Sequence, residues 1–145
     1  MATNKTLILE KLAQATELLN EFDIDCWLTF VRETSMAPDP ILDFVYGGDM
    51  TWQSAFILHK SGKHTAIIGH YDAPDVEELG GYSTVIGYHE GIGEHLRETL
   101  AKYNPQTVGL NYSEGDVAAD GLSFGMYLTL KSHLEGTPFA DRFVS

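Results

Sequence analysis

Ser54-Ala55-Phe56-Ile57-Leu58-His59 and His64-Thr65-Ala66-Ile67-Ile68-Gly69, separated by Lys60-Ser61-Gly62-Lys63, are the stretch on which the fold turns. Both runs are rich in Ile, Leu, Phe and Ala, and the polar tetrad between them reads as a hairpin turn. One antiparallel strand pair is therefore expected. Upstream, Cys26 to Val31 is a short apolar run bounded by acids and reads as a buried strand. From about Thr3 to Phe22 the apolar residues Ile8, Leu12, Ala15, Leu18, Leu19 and Phe22 recur at spacings of three and four. That spacing predicts an amphipathic helix, with Thr3 or Asn4 to cap it.

Downstream of the hairpin, Pro74 and nearby acids open a helix that ends at Gly80-Gly81. Thr84 to Tyr88 reads as a strand, Ile92 to Tyr103 as a helix, Thr107 to Asn111 as a strand, and Gly121 to Leu134 as the last long helix. Phe139 to Ser145 is expected to begin as a strand and then stop, where a connector would start. Alternation of this kind defines an α/β domain, and the hairpin makes its sheet a mixed β-sheet flanked by helices.

The chain has 145 residues, which fits one domain, and 21 Asp+Glu against 9 Lys+Arg, a formal net charge of −12. That charge excludes non-specific nucleic-acid binding, which rests on Lys and Arg neutralising phosphates, and disfavours an anionic membrane surface. Cys26 is the only cysteine, so an internal disulfide and a multi-cysteine zinc module are excluded; within Cys26-Trp27-Leu28 it reads as a buried, inert thiol. The first residues lack an apolar signal core, and no apolar stretch approaches ~18 residues. The sequons at Asn4 and Asn111 are then chance matches, and a soluble, reduced, cytoplasmic protein is expected.

Three motifs suggest chemistry. Gly121-Leu122-Ser123-Phe124-Gly125 fits a nucleophile elbow, but no strand precedes it and His133 comes before Asp141, against the order of that triad. Asp120 or Ser123 reads more simply as a helix cap. His89 and His95 are six apart with two glycines between, not one helical turn apart as a zincin needs, and His70, Asp72 and Asp75 are accounted for by a helix N-terminus. Gly91-Ile92-Gly93 lacks the third glycine of a dinucleotide fingerprint, which would fall at Leu96.

The loop from Arg32 to Trp52 is long for a connection between a strand and a hairpin, and long loops are often functional. It carries Arg32, Asp39, Asp43, Tyr46, Asp49 and Trp52. Of these, Arg32, Asp39, Tyr46 and Trp52 are the candidates for a partner-facing or substrate-pocket surface, Arg and Trp being enriched at interface hot spots. The competing and favoured reading has Phe44, Tyr46 and Trp52 packing a short helix, Ile41 to Val45, onto the sheet.

The order of elements, with Asp25 to Phe30, Asp43-Phe44-Val45-Tyr46-Gly47-Gly48, the hairpin, Val108-Gly109-Leu110-Asn111, Leu122 to Leu134 and Phe139 to Ser145, resembles the N-terminal domain of the creatinase/prolidase family, relatives of Xaa-Pro aminopeptidase and Xaa-Pro dipeptidase. The resemblance implies a ribonuclease-H-like arrangement over residues 1–145. It also implies a separate C-terminal pita-bread domain, absent from this chain, that cleaves peptides next to proline with two divalent metal ions (Mn, Co or Zn). No metal ligand or catalytic residue carries over to a position here. The role implied for this domain is to build a homo-oligomer and wall the peptide pocket, against its own catalytic domain. The alternatives are a free-standing binding or assembly module and a small serine hydrolase using Ser123.

Overall fold

The structure is a computed structural model that describes residues 5–145; Thr3 and Asn4, the expected caps, lie outside them. Helix α1 spans Lys5–Glu21, followed by β1 (Cys26–Val31), the short α2 (Leu42–Val45), β2 (Ser54–His59), β3 (Thr65–Gly69), α3 (Ala73–Leu79), β4 (Thr84–Tyr88), α4 (Gly93–Tyr103), β5 (Val108–Leu110), α5 (Phe124–His133) and β6 (Phe143–Val144). The strands form one sheet in the order β4-β3-β2-β1-β5-β6. β2 runs antiparallel to both β1 and β3, whereas β3–β4, β1–β5 and β5–β6 are parallel. The block β3-β2-β1-β5-β6, in which β2 alone runs against the rest, has the ribonuclease-H-like arrangement, with β4 added beyond β3.

Side chains alternate across a strand, so each face of the sheet builds its own core. Val31, Phe56, Leu58, Ala66 and Ile68 pack with α1 (Ile8, Leu12, Ala15, Leu19), α2 and α3. Cys26, Leu28, Phe30, Ala55, Ile57 and Ile67 pack with α4 (Leu96, Leu100) and α5 (Met126, Leu130) on the other face. Continuous apolar strands are what two-sided burial requires. The Cys26 thiol is fully buried, and its pKa is pushed up to about 12, first by burial and then by Asp25, so it stays a protonated, unreactive thiol.

Two local expectations are corrected. Phe22 was placed on the buried stripe of the first helix, yet it is 66% exposed, and Leu18 is also exposed. The helix stops at Glu21 because Asp23 adopts a left-handed φ of 54° and the Ile24 N–H donates to the Leu19 carbonyl, a Schellman stop that turns Phe22 off the stripe. The tail was expected to start as a strand. Instead Thr137 and Pro138 lead into a 3₁₀ turn over Phe139–Asp141 that buries Phe139, and the strand follows at Phe143–Val144.

His64 anchors α1 to the hairpin. Its ring is 3% exposed, Nδ1 accepts the His59 N–H at 3.0 Å, and Nε2 lies 3.1 Å from Thr16 Oγ1, which itself donates to the Leu12 carbonyl. Because Nδ1 accepts, Nε2 carries the proton of the neutral ring, and a second proton would displace the His59 bond. Burial accordingly pulls the His64 pKa down to about 4, with His59 adding to the effect. The unfolded chain, with a histidine pKa near 6.5, binds the proton more readily, so this stabilisation is full above pH 6.5 and is lost as pH falls toward 4. Urea unfolding at pH 7.5 and 4.5 checks this: the wild type is expected to lose about 2–3 kcal/mol more than His64→Gln over that interval.

Candidate functional site

The ends of the Arg32–Trp52 loop continue the β1–β2 ladder. Glu33 donates to the Thr51 carbonyl and Thr34 to the Met50 carbonyl, while the buried Thr34 hydroxyl accepts the Met50 N–H at 2.8 Å and donates to Asp49. Within this closed loop α2 is held by Leu42 and Val45, which are buried against α1, and by Tyr82, whose hydroxyl donates to the Val45 carbonyl. Gly47 has a φ of 88°, and a Cβ there would press on Ile8, so the chain passes α1 at a point that only glycine fits. Phe44 does not pack onto the sheet. It is exposed, beneath the Lys11 ammonium.

The four candidate residues lie in different settings. Arg32 is exposed just past the end of β1. Tyr46 is half-buried and stacked on Phe56 at 5.9 Å, and burial together with Asp75, Asp72 and Asp49 pushes its phenol up to about 12. Trp52 is 37% exposed; it lies against Gly69, where a Cβ would meet its ring, and within 5.7–5.9 Å of the rings of His70, Tyr71 and Tyr88. Trp52 therefore belongs to an aromatic surface at the carboxyl ends of β3 and β4, where His70 also stacks on His89 at 4.0 Å. Behind it His133 Nε2 pairs with Gln53 Oε1 at 2.8 Å, and burial, reinforced by Arg97, holds the His133 pKa down.

Asp39 is different. It is 3% exposed, and its carboxylate accepts the Ile41 N–H and the side-chain amide of Asn111, at 3.1 and 3.0 Å. Asn111 also donates to Thr29 Oγ1 and accepts the Trp27 indole N–H at 2.6 Å. The carboxylate rests directly on Gly121, where any Cβ would collide with it. Asp39 thus ties the loop to β1, β5 and the start of the last helix. The sequence reading missed Asn111 and Thr29, which it treated as ordinary strand residues; the available signal was Trp27, a strand tryptophan whose buried N–H requires an acceptor. The Asn111 amide is committed to this network inside the fold.

Among the described residues no group of three or more His, Cys, Asp or Glu side chains is arranged to hold a metal ion. Ser123 Oγ accepts the Met126 N–H and caps α5, while Asp120 accepts the Ser113 N–H. No described helix is long and apolar enough to cross a membrane.

The domain is a three-layer α/β fold with a mixed six-stranded sheet and a tightly closed β1–β2 loop. No family model and no curated protein sequence matches the chain. Solved structures do. The chain is similar to the creatinase/prolidase N-terminal domain of an X-Pro dipeptidase from Streptococcus pyogenes (TM-score 0.67, 12% identity, 93% of this chain and 92% of that one). It is also similar to the X-Pro aminopeptidase from Thermotoga maritima (TM-score 0.66, 12% identity, 92% of this chain and 32% of that one) and to the Xaa-Pro dipeptidase from Bacillus anthracis (TM-score 0.61, 16% identity, 97% and 33%). The fold is that of a creatinase/prolidase N-terminal domain, and the chain spans about a third of the length of those two enzymes.

Two substitutions check this local account. Asn111→Ala strands the Trp27 N–H and removes a donor from Asp39, and is expected to cost about 2–4 kcal/mol in urea unfolding. Ser123→Ala removes only a helix cap, at about 1 kcal/mol.

Proposed function

We propose that this chain is the non-catalytic N-terminal domain of a metal-dependent peptidase that cleaves next to proline. The observation that carries this reading is the pair of coverages: the fold accounts for nearly all of a creatinase/prolidase N-terminal domain yet only a third of two proline-directed peptidases. The chemistry would then reside in a C-terminal catalytic domain holding two divalent ions, such as Mn, Co or Zn, which lower the pKa of a bridging water and clamp the developing oxyanion. The present domain would assemble a cytoplasmic homo-oligomer and help to wall the peptide pocket.

The surface assigned to that role is the exposed part of the loop and its neighbours, Arg32 and Trp52 with Tyr71. Tyr46 and Asp39 would act beneath it as supports. A rigid loop base favours this assignment, because a wall that positions a peptide must not move when the peptide binds.

Sequencing downstream of Ser145 is the first test. An extension of about 200 residues or more with dispersed Asp, Asp, His, Glu and Glu supports the reading. A stop codon immediately after Ser145 sinks it and leaves a free-standing binding or assembly module. In the longer enzyme, Arg32→Ala or Trp52→Ala is expected to raise KM for an Xaa-Pro peptide several-fold, about 1 kcal/mol, or to change the mass in sedimentation. Unchanged values for both remove the loop from the proposal.

A further inference from the structure

On the face of the sheet that carries α1, β5 presents Gly109, which pairs with Trp27 and has no side chain to fill the space beside it. The result is a groove of about 530 Å³ walled by Leu18, Phe22, Ile24, Trp27, Ile41 and Leu110. Its size suits a few side chains, since ligand-sized clefts run from ~300 to ~1,000 Å³. Phe22, turned out of the core by the Schellman stop, stands 66% exposed at this wall.

The polar part of the groove is one-sided. Asp39 and Asp116 line it, and among the described residues no lysine, arginine or histidine does. Asp39 is nine-tenths buried or more, yet its partners are neutral: the Ile41 N–H and the Asn111 amide. Asp116 accepts only the Ala118 N–H. Buried carboxylates are ordinarily answered by a cation. Elsewhere the partly buried Asp25, at the α1–β1 connection, meets Lys60 Nζ at 2.7 Å.

We propose that this groove is a docking site for a segment of a partner polypeptide that presents two or three apolar side chains and one arginine or lysine. The apolar side chains fill the space between Phe22 and Trp27, and the cation sits at the Asp39–Asp116 side. The chain's charge of −12 steers such a basic segment toward it and repels acidic ones. The groove shares Asp39 and Ile41 with the Arg32–Trp52 loop but not its exposed residues Arg32 and Trp52, and it does not depend on the peptidase reading.

Trp27 is one of two tryptophans, so the Trp52→Phe protein carries a single fluorescent reporter in the groove wall. Three synthetic peptides are titrated: an amphipathic helix of leucine and arginine, the same helix with glutamate for arginine, and an oligo-arginine of equal charge. The leucine–arginine peptide is expected to shift Trp27 emission saturably, and Phe22→Glu and Asp116→Lys, both at exposed positions, are each expected to weaken it about tenfold or more. Circular dichroism melts check that both variants are folded. Equal binding by the glutamate peptide or by oligo-arginine overturns the proposal, as does indifference of both variants. A concentration-dependent dimer in sedimentation, abolished by Phe22→Glu, overturns it in favour of a second copy of this chain.

Discussion

The register of β1 between β2 and β5 is the constraint that the remaining elements obey. Its six residues alternate between two cores, with Leu28 and Phe30 facing α4 and α5, and Trp27 and Val31 facing α1. A slip of one residue would exchange those sets. The Trp27 indole and the Thr29 hydroxyl would then enter an apolar core without their Asn111 partner, and Leu28 would lie against a polar cluster. Burial and hydrogen bonding thus select the same register, and the two helical layers are placed by it.

Local signals of composition made most of this visible in the sequence. The hairpin was read to within one residue, because two apolar runs and a Gly-bearing turn are contiguous; β3 merely starts at Thr65 rather than His64. Cys26–Val31 and Thr84–Tyr88 were legible for the same reason. Phe22 was not, since its exposure depends on a left-handed residue one position later, and asparagine or glycine rather than aspartate usually marks that stop. The tail was misread because Phe139, although apolar, enters the core from a 3₁₀ turn that periodicity does not register.

The candidate loop was located correctly as a unit but not resolved into roles. Asp39 looked like a surface acid beside two prolines, and nothing within ten residues reveals that Asn111 and Gly121 close over it. Long-range polar contacts of this type leave no local periodicity. They nonetheless decide which loop residues face outward: with Asp39 drawn inside and Tyr46 stacked on Phe56, Arg32 and Trp52 are the two of the four left at the surface.

The pairing of β1 with β5 brings together Asp25 and Thr107, 82 positions apart. On the ribosome, α1, β1 and the hairpin emerge first and can assemble from near neighbours, whereas one flank of β1 must wait for most of the domain to be made. Through that interval a largely apolar strand presents unpaired N–H and C=O groups to solvent, the condition in which strands recruit foreign partners. The nascent chain is therefore most exposed to misassembly before Val108 has left the exit tunnel, and a chaperone that binds extended apolar segments would have β1 as its natural client.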